Sequence, residues 1–193
     1  MENTTFDQSI WMPTYSGGTF NFTDFKVLDI KIEDISQTLS KICRFNGHCA
    51  EFYSVAQHSV NCARIVRGGK YAVLGALLHD AHEAYVGDLI TPIKWYIESK
   101  INISPLQELT DNIQRTINAR FGLPAELPAE VYRVDLAMLA VEKRDLLLHD
   151  LKWEGDWNLH LESAPYGFEI SECWTPQKAH KEFMKTFEEF YGA

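Results

Sequence analysis

The sequence has few basic residues and no long apolar run. Lysine and arginine number 18 against 27 aspartates and glutamates, which gives a formal net charge of −9. This acidic balance argues against a broad nucleic-acid-binding face and against an anionic membrane surface as a partner. No stretch reaches the length of a membrane span, and the N-terminus lacks a basic region followed by an apolar one. We therefore expect a cytoplasmic protein that binds neither membranes nor long nucleic acid.

Cysteines are also scarce, and none has the paired CxxC spacing of a metal ribbon or a redox motif. The four residues are Cys43, Cys49, Cys62 and Cys173. We expect four reduced thiols, three of them on apolar faces of helices, as is usual in a reducing compartment. An alternative is that Cys43, His48 and Cys49 form part of a zinc site, but the sequence offers no evident fourth ligand.

What the sequence does contain is an apolar content of 46% in a chain of 193 residues, enough for one domain with a sizeable core. Residues 10–20 predict a short N-terminal β-hairpin that turns at Ser16-Gly17-Gly18. Beyond it, helical spacing of apolar residues dominates. Helices are predicted over residues 33–43, 54–67, 70–86, 104–121, 128–150 and 176–191. The fold class is therefore all-α, a single helical-bundle domain over residues 1–193.

Local signals refine these helices. Ser54 is placed to cap the second helix, and Gly87 is placed to end the third. The third helix, residues 70–86, would carry Ala72, Ala76, His79 and Glu83 on one stripe. Thr91-Pro92 marks the start of a further element, since proline is favoured in the first turn of a helix. Residues 153–173 show weak periodicity and are expected to wrap the surface.

The most informative feature is the dipeptide His79-Asp80, which closes the apolar run 73–78. Adjacent residues on a helix diverge by about 100 degrees, so they share an ion only if other segments supply further ligands. His58 lies on the apolar face of the preceding helix, and Asp135 lies among apolar neighbours on a later one. An inward carboxylate is costly unless it is paired or coordinated. These four residues predict a mixed nitrogen and oxygen site for a divalent cation.

Each residue taken alone has a plainer interpretation. The second dipeptide, His149-Asp150, fits a helix C-terminus with a surface acid. His58 alone would be a hydrogen-bonded core histidine, and Asp135 alone would pair with Arg133 or Lys143. The combination of four inward positions is what favours a metal centre.

With these residues the chain resembles the HD-domain phosphohydrolases. The matching segments are RFNGH at 44–48, YSVAQHSV at 53–60, LLHD at 77–80 and GDLITPIK at 87–94. They are similar to the subgroup that holds bacterial 5′-deoxynucleotidases, phage dATP triphosphohydrolases and the phosphohydrolase of oxetanocin-A biosynthesis. The resemblance implies an HD-type helical bundle with one catalytic divalent cation. Its implied ligands are His58, His79, Asp80 and Asp135. The mixed nitrogen and oxygen donors suit cobalt, manganese, zinc or iron, with magnesium as a further candidate.

The resemblance also implies roles for acids near the metal. Glu83 would face the attacking water or the leaving group, and Asp88 matches a second catalytic acid. Asp88 or His82 would help to protonate the leaving oxygen, although His82 is offset from the stripe and also fits a supporting or surface position. The plainer alternatives are a surface ion pair for Glu83 and a turn or cap role for Asp88.

Three further residues would bind substrate. Arg44 matches a phosphate-binding arginine and Lys94 a phosphate-facing lysine, although Lys94 alone also fits an ordinary surface position. Phe45 stands where several relatives carry tryptophan, so stacking on a base or sugar is retained but base preference is not transferable.

The resulting hypothesis is hydrolysis at the α-phosphorus of a small nucleotide. The first expectation is a deoxynucleoside triphosphate triphosphohydrolase with a dATP-like substrate, releasing nucleoside and triphosphate. The alternatives are a 5′-deoxynucleotidase, a cyclic-nucleotide phosphodiesterase and, outside the enzymes, a nucleotide-binding sensor. A homo-oligomer is expected from the resemblance, but we expect the aromatic face of the last helix to pack in the core. That face comprises Phe183, Phe187, Phe190 and Tyr191.

Overall fold

Helices dominate the part of the chain that the computed structural model describes, residues 10–100, 104–147 and 167–192. The α-helices are α1 (Ile32–Leu39), α2 (Val55–Ile65), α3 (Lys70–Leu78), α4 (Glu83–Val86), α5 (Thr91–Glu98), α6 (Pro105–Arg120), α7 (Ala129–Leu146) and α8 (Pro176–Tyr191). Two antiparallel strands, β1 (Trp11–Pro13) and β2 (Thr19–Asn21), precede them. Short 3-10 helices cover Val27–Asp29 and Arg44–Gly47. The prediction of a mostly helical chain with an N-terminal hairpin is confirmed.

A buried aromatic residue of the hairpin packs against the helices. Phe20, which pairs with Met12 in the register, is fully buried. Its ring stacks on Tyr85 of α4 with centroids 4.1 Å apart. Gly17 has φ +83 in the connecting turn, a conformation that favours glycine. The hairpin therefore covers the end of the bundle at which α4 lies.

The centre of the bundle is the pair α2 and α3. Helix α2 packs against α3, α7 and α8, and α3 also packs against α7 and α8. Residues 55–63 and 72–78 are buried without interruption, so polar side chains on α2 point into protein. The Ser54 hydroxyl accepts from the Gln57 amide, which confirms the predicted N-cap. Gly75 permits the close approach of α7, because a Cβ there would lie 3.2 Å from Val131.

The predicted continuous helix over residues 70–86 is wrong. Helix α3 ends at Leu78 and α4 begins at Glu83. In a continuous helix the His82 amide would donate to the Leu78 carbonyl. Instead, Gln114 of α6 donates from Nε2 to the Leu78 carbonyl (2.9 Å) and accepts the His82 amide at Oε1 (3.3 Å). A side chain inserted into the hydrogen-bond ladder breaks the helix there, and the predicted stripe from Ala72 to Glu83 is interrupted.

Other boundaries differ by a few residues. Helix α1 ends at Leu39 and α2 at Ile65, each earlier than predicted, whereas α5, α6 and α8 begin as expected. Helix α7 ends at Leu146; the predicted helix end with His149-Asp150 and most of the predicted wrapping segment, residues 153–166, lie outside the described residues. Within the described residues, no helix combines the length and apolar character needed to cross a bilayer.

The predicted inward packing of the aromatic face of α8 holds for two of its four residues, because Phe190 is half-buried and Tyr191 is exposed. Phe183 and Phe187 are buried, and Phe187 meets Phe121 edge to face with ring centroids 5.2 Å apart. The prediction of three cysteines on apolar helix faces is wrong, because Cys62 of α2 is buried but the other three are half-buried and lie outside the α-helices. All four are free thiols.

Candidate metal centre

Four predicted metal ligands from α2, the α3–α4 break and α7 lie together. The Nε2 atoms of His58 and His79 are 3.3 Å apart. Asp135 Oδ1 lies 3.2 Å from His58 Nε2 and 3.6 Å from His79 Nε2. Asp80 Oδ2 lies 3.6 Å and 3.2 Å from the same two nitrogens. Neighbouring ligands around one cation with bonds of about 2.1 Å lie about 3.0–3.5 Å apart, so these separations suit a shared ion.

A fifth donor, the Cys62 thiol, belongs to the same cluster. Its Sγ lies 3.6 Å from His58 Nε2. Single donor atoms from His58, Cys62, His79 and Asp135 all fall within 4.8 Å of one another, so this His–Cys–His–Asp group can hold a metal ion. Sequence reasoning missed Cys62, although its position four residues after His58 places it on the same helix face. Sulfur and imidazole donors favour zinc, cobalt or iron over magnesium.

Hydrogen bonds orient both imidazoles in the same way. The Nδ1–H of His79 donates to the Ala76 carbonyl at 2.8 Å. The Nδ1–H of His58 donates to Glu142 Oε1 at 2.6 Å. In each ring the other nitrogen, Nε2, is left to face the cluster. Such anchoring of Nδ1 fixes the tautomer and ring orientation that a metal ligand needs.

Glu142 joins the cluster to Arg44. Its side chain is 0% exposed, and Oε2 accepts from Arg44 Nη2 at 3.0 Å. Burial opposes ionisation, but Arg44 and His58 outweigh it and hold the pKa of Glu142 below its ordinary value. Sequence reasoning missed this residue. The available signal was an acid in the apolar stretch of α7, two helical turns after Asp135.

The charges of the cluster call for a cation. Asp80, Asp135 and Glu142 supply three negative charges and Arg44 one positive charge, which leaves two negative charges if the imidazoles are neutral. Burial works against the charged imidazoles, and Arg44 also opposes protonation of His58. The neighbouring acids nevertheless raise the pKa of both rings. A divalent cation would supply the same compensation, so donor type, spacing and charge all fit one.

The predicted catalytic acids lie beside this cluster. Glu83 is 5% exposed, and its Oε2 has no hydrogen-bond partner among the described residues. Burial, then Asp80 and Asp88, raise the pKa of Glu83 well above its ordinary value. Burial also raises the pKa of Asp88, which follows the left-handed Gly87 (φ +82). The alternative of a surface ion pair for Glu83 is wrong, because the carboxyl is buried.

His82 and Lys94 are both half-buried. His82 Nδ1 donates to Gln114 Oε1 at 3.1 Å, which supports a structural position for this ring. Burial lowers the pKa of His82, and Lys94 acts in the same direction. Lys94 is half-buried on the first turn of α5. Its positive charge works against the rise in the pKa of Glu83 and of Asp88. The predicted phosphate-facing lysine is therefore within electrostatic reach of both acids.

A strained turn presents Arg44 and Phe45. Phe45 and Asn46 have positive φ values of 57° and 51°, which non-glycine residues rarely adopt. The turn directs the buried Arg44 toward Asp80, with Nη1 3.5 Å from Oδ2, and leaves Phe45 half-buried. The Arg44 guanidinium carbon lies 5.4 Å from the centroid of the Phe45 ring. The two predicted substrate-binding residues are thus adjacent at the edge of the cluster.

The alternative zinc site gains no support. Cys43 Sγ and Cys49 Sγ lie 3.9 Å apart, but Cys49 donates to the Glu51 carbonyl at 2.9 Å. In the described parts of the chain, the donor group that can hold an ion includes neither these thiols nor His48.

Sequence comparisons identify relatives of this chain. No protein-family model matches the chain. The protein RCAP_rcc00048 of Rhodobacter capsulatus, named as uncharacterized, is 36% identical over 141 residues, 69% of each chain. The Escherichia coli (strain K12) protein YfdR, also named as uncharacterized, is 39% identical over 140 residues, which cover 72% of this chain and 74% of YfdR. Identity at that level over most of both sequences shows common descent, and the chain belongs to the family of YfdR.

Proposed function

We propose that the protein is a divalent-metal-dependent phosphohydrolase of the HD-domain type that acts at the α-phosphorus of deoxynucleotides, with deoxynucleoside triphosphates as the first candidate substrates. One observation carries the proposal: Asp80 and Asp135 each place an oxygen 3.2–3.6 Å from the Nε2 atoms of His58 and His79, which lie 3.3 Å apart beside a buried arginine. The order of these residues in the sequence and the segments around them resemble that family. An ion site beside a guanidinium suits an anionic substrate.

Arg44 still has a donor for phosphate. Its two terminal nitrogens contact Glu142 and Asp80, but its buried Nε has no hydrogen-bond partner among the described residues. A buried, unsatisfied N–H is costly, and a phosphoryl oxygen would satisfy it. When bound, the cation would supply Lewis acidity toward a phosphoryl oxygen and a water molecule. Lys94 adds positive charge near Asp88.

Glu83 and Asp88 are suited to move protons. In hydrolysis, water adds to the α-phosphorus, the bond from phosphorus to the 5′-oxygen breaks, and a proton reaches that oxygen. The raised pKa of Glu83 and its unpaired Oε2 allow it to accept the proton that the attacking water loses. Asp88, whose pKa is also raised, would deliver a proton to the leaving oxygen.

A 5′-deoxynucleotidase is the second candidate, and the charges near the acids favour it. Arg44 and Lys94 are the cations that act on Glu83 and Asp88, and Arg44 already pairs with two carboxylates. A monophosphate needs less compensation than a triphosphate, so this positive charge suits the smaller anion better.

The test is a panel of dATP, dAMP, ATP, AMP and cyclic AMP, each incubated with cobalt, manganese, zinc or magnesium, with products identified by chromatography. Triphosphate from dATP supports the first candidate, and phosphate from dAMP the second. Asp135→Asn should abolish turnover and cation binding together. Asp24→Asn, at an aspartate whose side chain is 72% exposed, should change neither. Cation and nucleotide binding without any turnover would overturn the proposal and indicate a sensor.

A further inference from the structure

The break between α3 and α4 is held open by a side chain of α6. Gln114 Nε2 donates to the Leu78 carbonyl at 2.9 Å, and Gln114 Oε1 accepts the His82 amide at 3.3 Å. The same oxygen accepts from His82 Nδ1 at 3.1 Å. The carbonyl and the amide are the two groups that would bond to each other in an uninterrupted helix. Gln114 therefore replaces one helical hydrogen bond with two bonds of its own.

The His79-Asp80 dipeptide lies within this break. On a continuous helix these residues would diverge by about 100 degrees. In the break the chain makes shorter turns, with the Ala81 amide donating to the Leu78 carbonyl at 3.1 Å and the Glu83 amide to the Asp80 carbonyl at 3.0 Å. His79 Nε2 and Asp80 Oδ2 come within 3.2 Å of each other and face the same cluster. Two adjacent residues can thus bind one ion.

Gln114 is itself held in one orientation. Its Nε2 also donates to Asn118 Oδ1 at 2.9 Å, one turn further along α6. Asn118 is buried and is fixed in turn by the carbonyls of Pro124 and Ala125, at 3.2 Å and 3.3 Å. The amide is therefore presented to the break with its oxygen toward the His82 amide and its nitrogen toward the Leu78 carbonyl.

We propose that Gln114 is a positioning residue of the metal centre: by keeping the helix open between Leu78 and His82, it directs His79 and Asp80 at one cation. It acts through the backbone, from outside the cluster, and the inference rests on the metal centre of the proposed function. Neither HD-type sequence resemblance nor helical periodicity points to it, because the contact joins residues 32 and 36 positions apart.

The test compares Gln114→Ala with Thr110→Ala in the full chain. The first removes both backbone bonds to the break, whereas the second removes a buried hydroxyl one turn earlier on the same helix, which bonds to the Gln107 carbonyl. Isothermal titration with Co²⁺ or Mn²⁺ should show affinity about 10–100-fold weaker for Gln114→Ala, the usual effect of losing a group that orients metal ligands. For Thr110→Ala it should stay within about threefold, even where its unfolding midpoint falls.

A second readout needs no metal. Amide hydrogen exchange over residues 79–83 should change in Gln114→Ala, because the His82 amide either loses its acceptor or joins the Leu78 carbonyl in a repaired helix. Unchanged exchange there, or equal cation affinity in Gln114→Ala and the unmodified protein, would overturn the inference. A protein that binds cations through Gln114-dependent geometry but hydrolyses no nucleotide would overturn the proposed function alone. A protein that binds no cation would overturn both.

Discussion

Two buried glutamates face the same cluster and have opposite surroundings. Glu142 of α7 is 0% exposed, and both its oxygens are paired, one with His58 and one with Arg44. Glu83, the first residue of α4, is 5% exposed and has an oxygen without a partner among the described residues. Burial disfavours charge on both, yet paired charges lower the pKa of Glu142, whereas Asp80 and Asp88 raise that of Glu83.

The difference distinguishes a glutamate that holds metal-site residues in place from a glutamate that can take part in the reaction. A buried carboxylate that is fully paired fixes its partners in place. A buried carboxyl that is left unpaired beside other acids is unfavourable for stability and is typical of a group that exchanges protons with a substrate. Glu142 on α7 therefore positions the predicted metal ligands, and Glu83 at the start of α4 would exchange protons in the proposed reaction.

The largest expected effect is on folding stability when the paired glutamate is changed. Glu142→Gln removes the closer and fully buried of the two carboxylates that pair with Arg44, and it should lower the free energy of unfolding by about 3–5 kcal/mol. Urea denaturation of the metal-free protein measures this. Glu130→Gln is the matched control on the same helix, because Glu130 also pairs with an arginine but is 46% exposed. Its loss should be about 0–1 kcal/mol, and equal losses would show that Glu142 is not special.

Changing the unpaired glutamate should act in the opposite direction. Because the folded-state pKa of Glu83 is raised, the folded protein keeps a proton that the unfolded chain has released. The free energy of unfolding therefore falls as pH rises from the ordinary pKa of about 4.3 toward the raised value. Glu83→Gln removes that loss and should stabilise the metal-free protein at pH 8 by roughly 1–3 kcal/mol.

The pH profile is the decisive measurement for Glu83. The advantage of Glu83→Gln should shrink toward zero near pH 4, where glutamate is protonated in both states. Glu188→Gln, at an exposed position on α8, should show no such profile. A Glu83→Gln protein that is less stable at pH 8 would mean that the carboxylate is paired after all.

The affinity for a divalent cation should also differ between the Glu142 and Glu83 variants. Glu142→Gln weakens the anchor of His58 and should reduce Co²⁺ or Mn²⁺ affinity about 10–100-fold by isothermal titration. Glu83→Gln should change cation affinity by less than about threefold while it slows turnover roughly 10²–10⁴-fold. Similar cation affinities in the two variants would show that Glu142 and Glu83 do not differ in how they support the metal site.

The smallest expected effect concerns Lys94 on the half-exposed helix α5. Lys94→Ala should raise the KM for nucleotide about tenfold through the loss of a charge near the phosphate. Stability should change by less than about 0.5 kcal/mol. Lys185→Ala, at an exposed position on α8, serves as the control in steady-state kinetics. An unchanged KM for Lys94→Ala would mean that Lys94 is an ordinary surface lysine and does not bind phosphate.

Much of the fold was predictable because it depends on local patterns. The hairpin turn, the Ser54 cap and the helix from Pro176 to Tyr191 follow from turn residues, capping residues and apolar spacing. The same holds for the four predicted metal ligands, which are inward polar residues in apolar surroundings. The structure brings them together, and their role as ligands stays part of the proposed function.

What the sequence missed depends on distant contacts. Helical periodicity runs through residues 70–86 without a stop signal, so nothing local indicates that Gln114 interrupts it. Glu142 has no local signature either, because its partners His58 and Arg44 lie 84 and 98 positions away.

The sequence by itself determined a helical chain, its hairpin and a set of inward imidazoles and carboxylates, because burial pattern and capping act over a few residues. Only the tertiary structure decided which of those acids is paired, which is left unpaired and where α3 breaks. Those outcomes arise from hydrogen bonds and charges between helices that are far apart in the chain, and a periodic pattern carries no information about such partners.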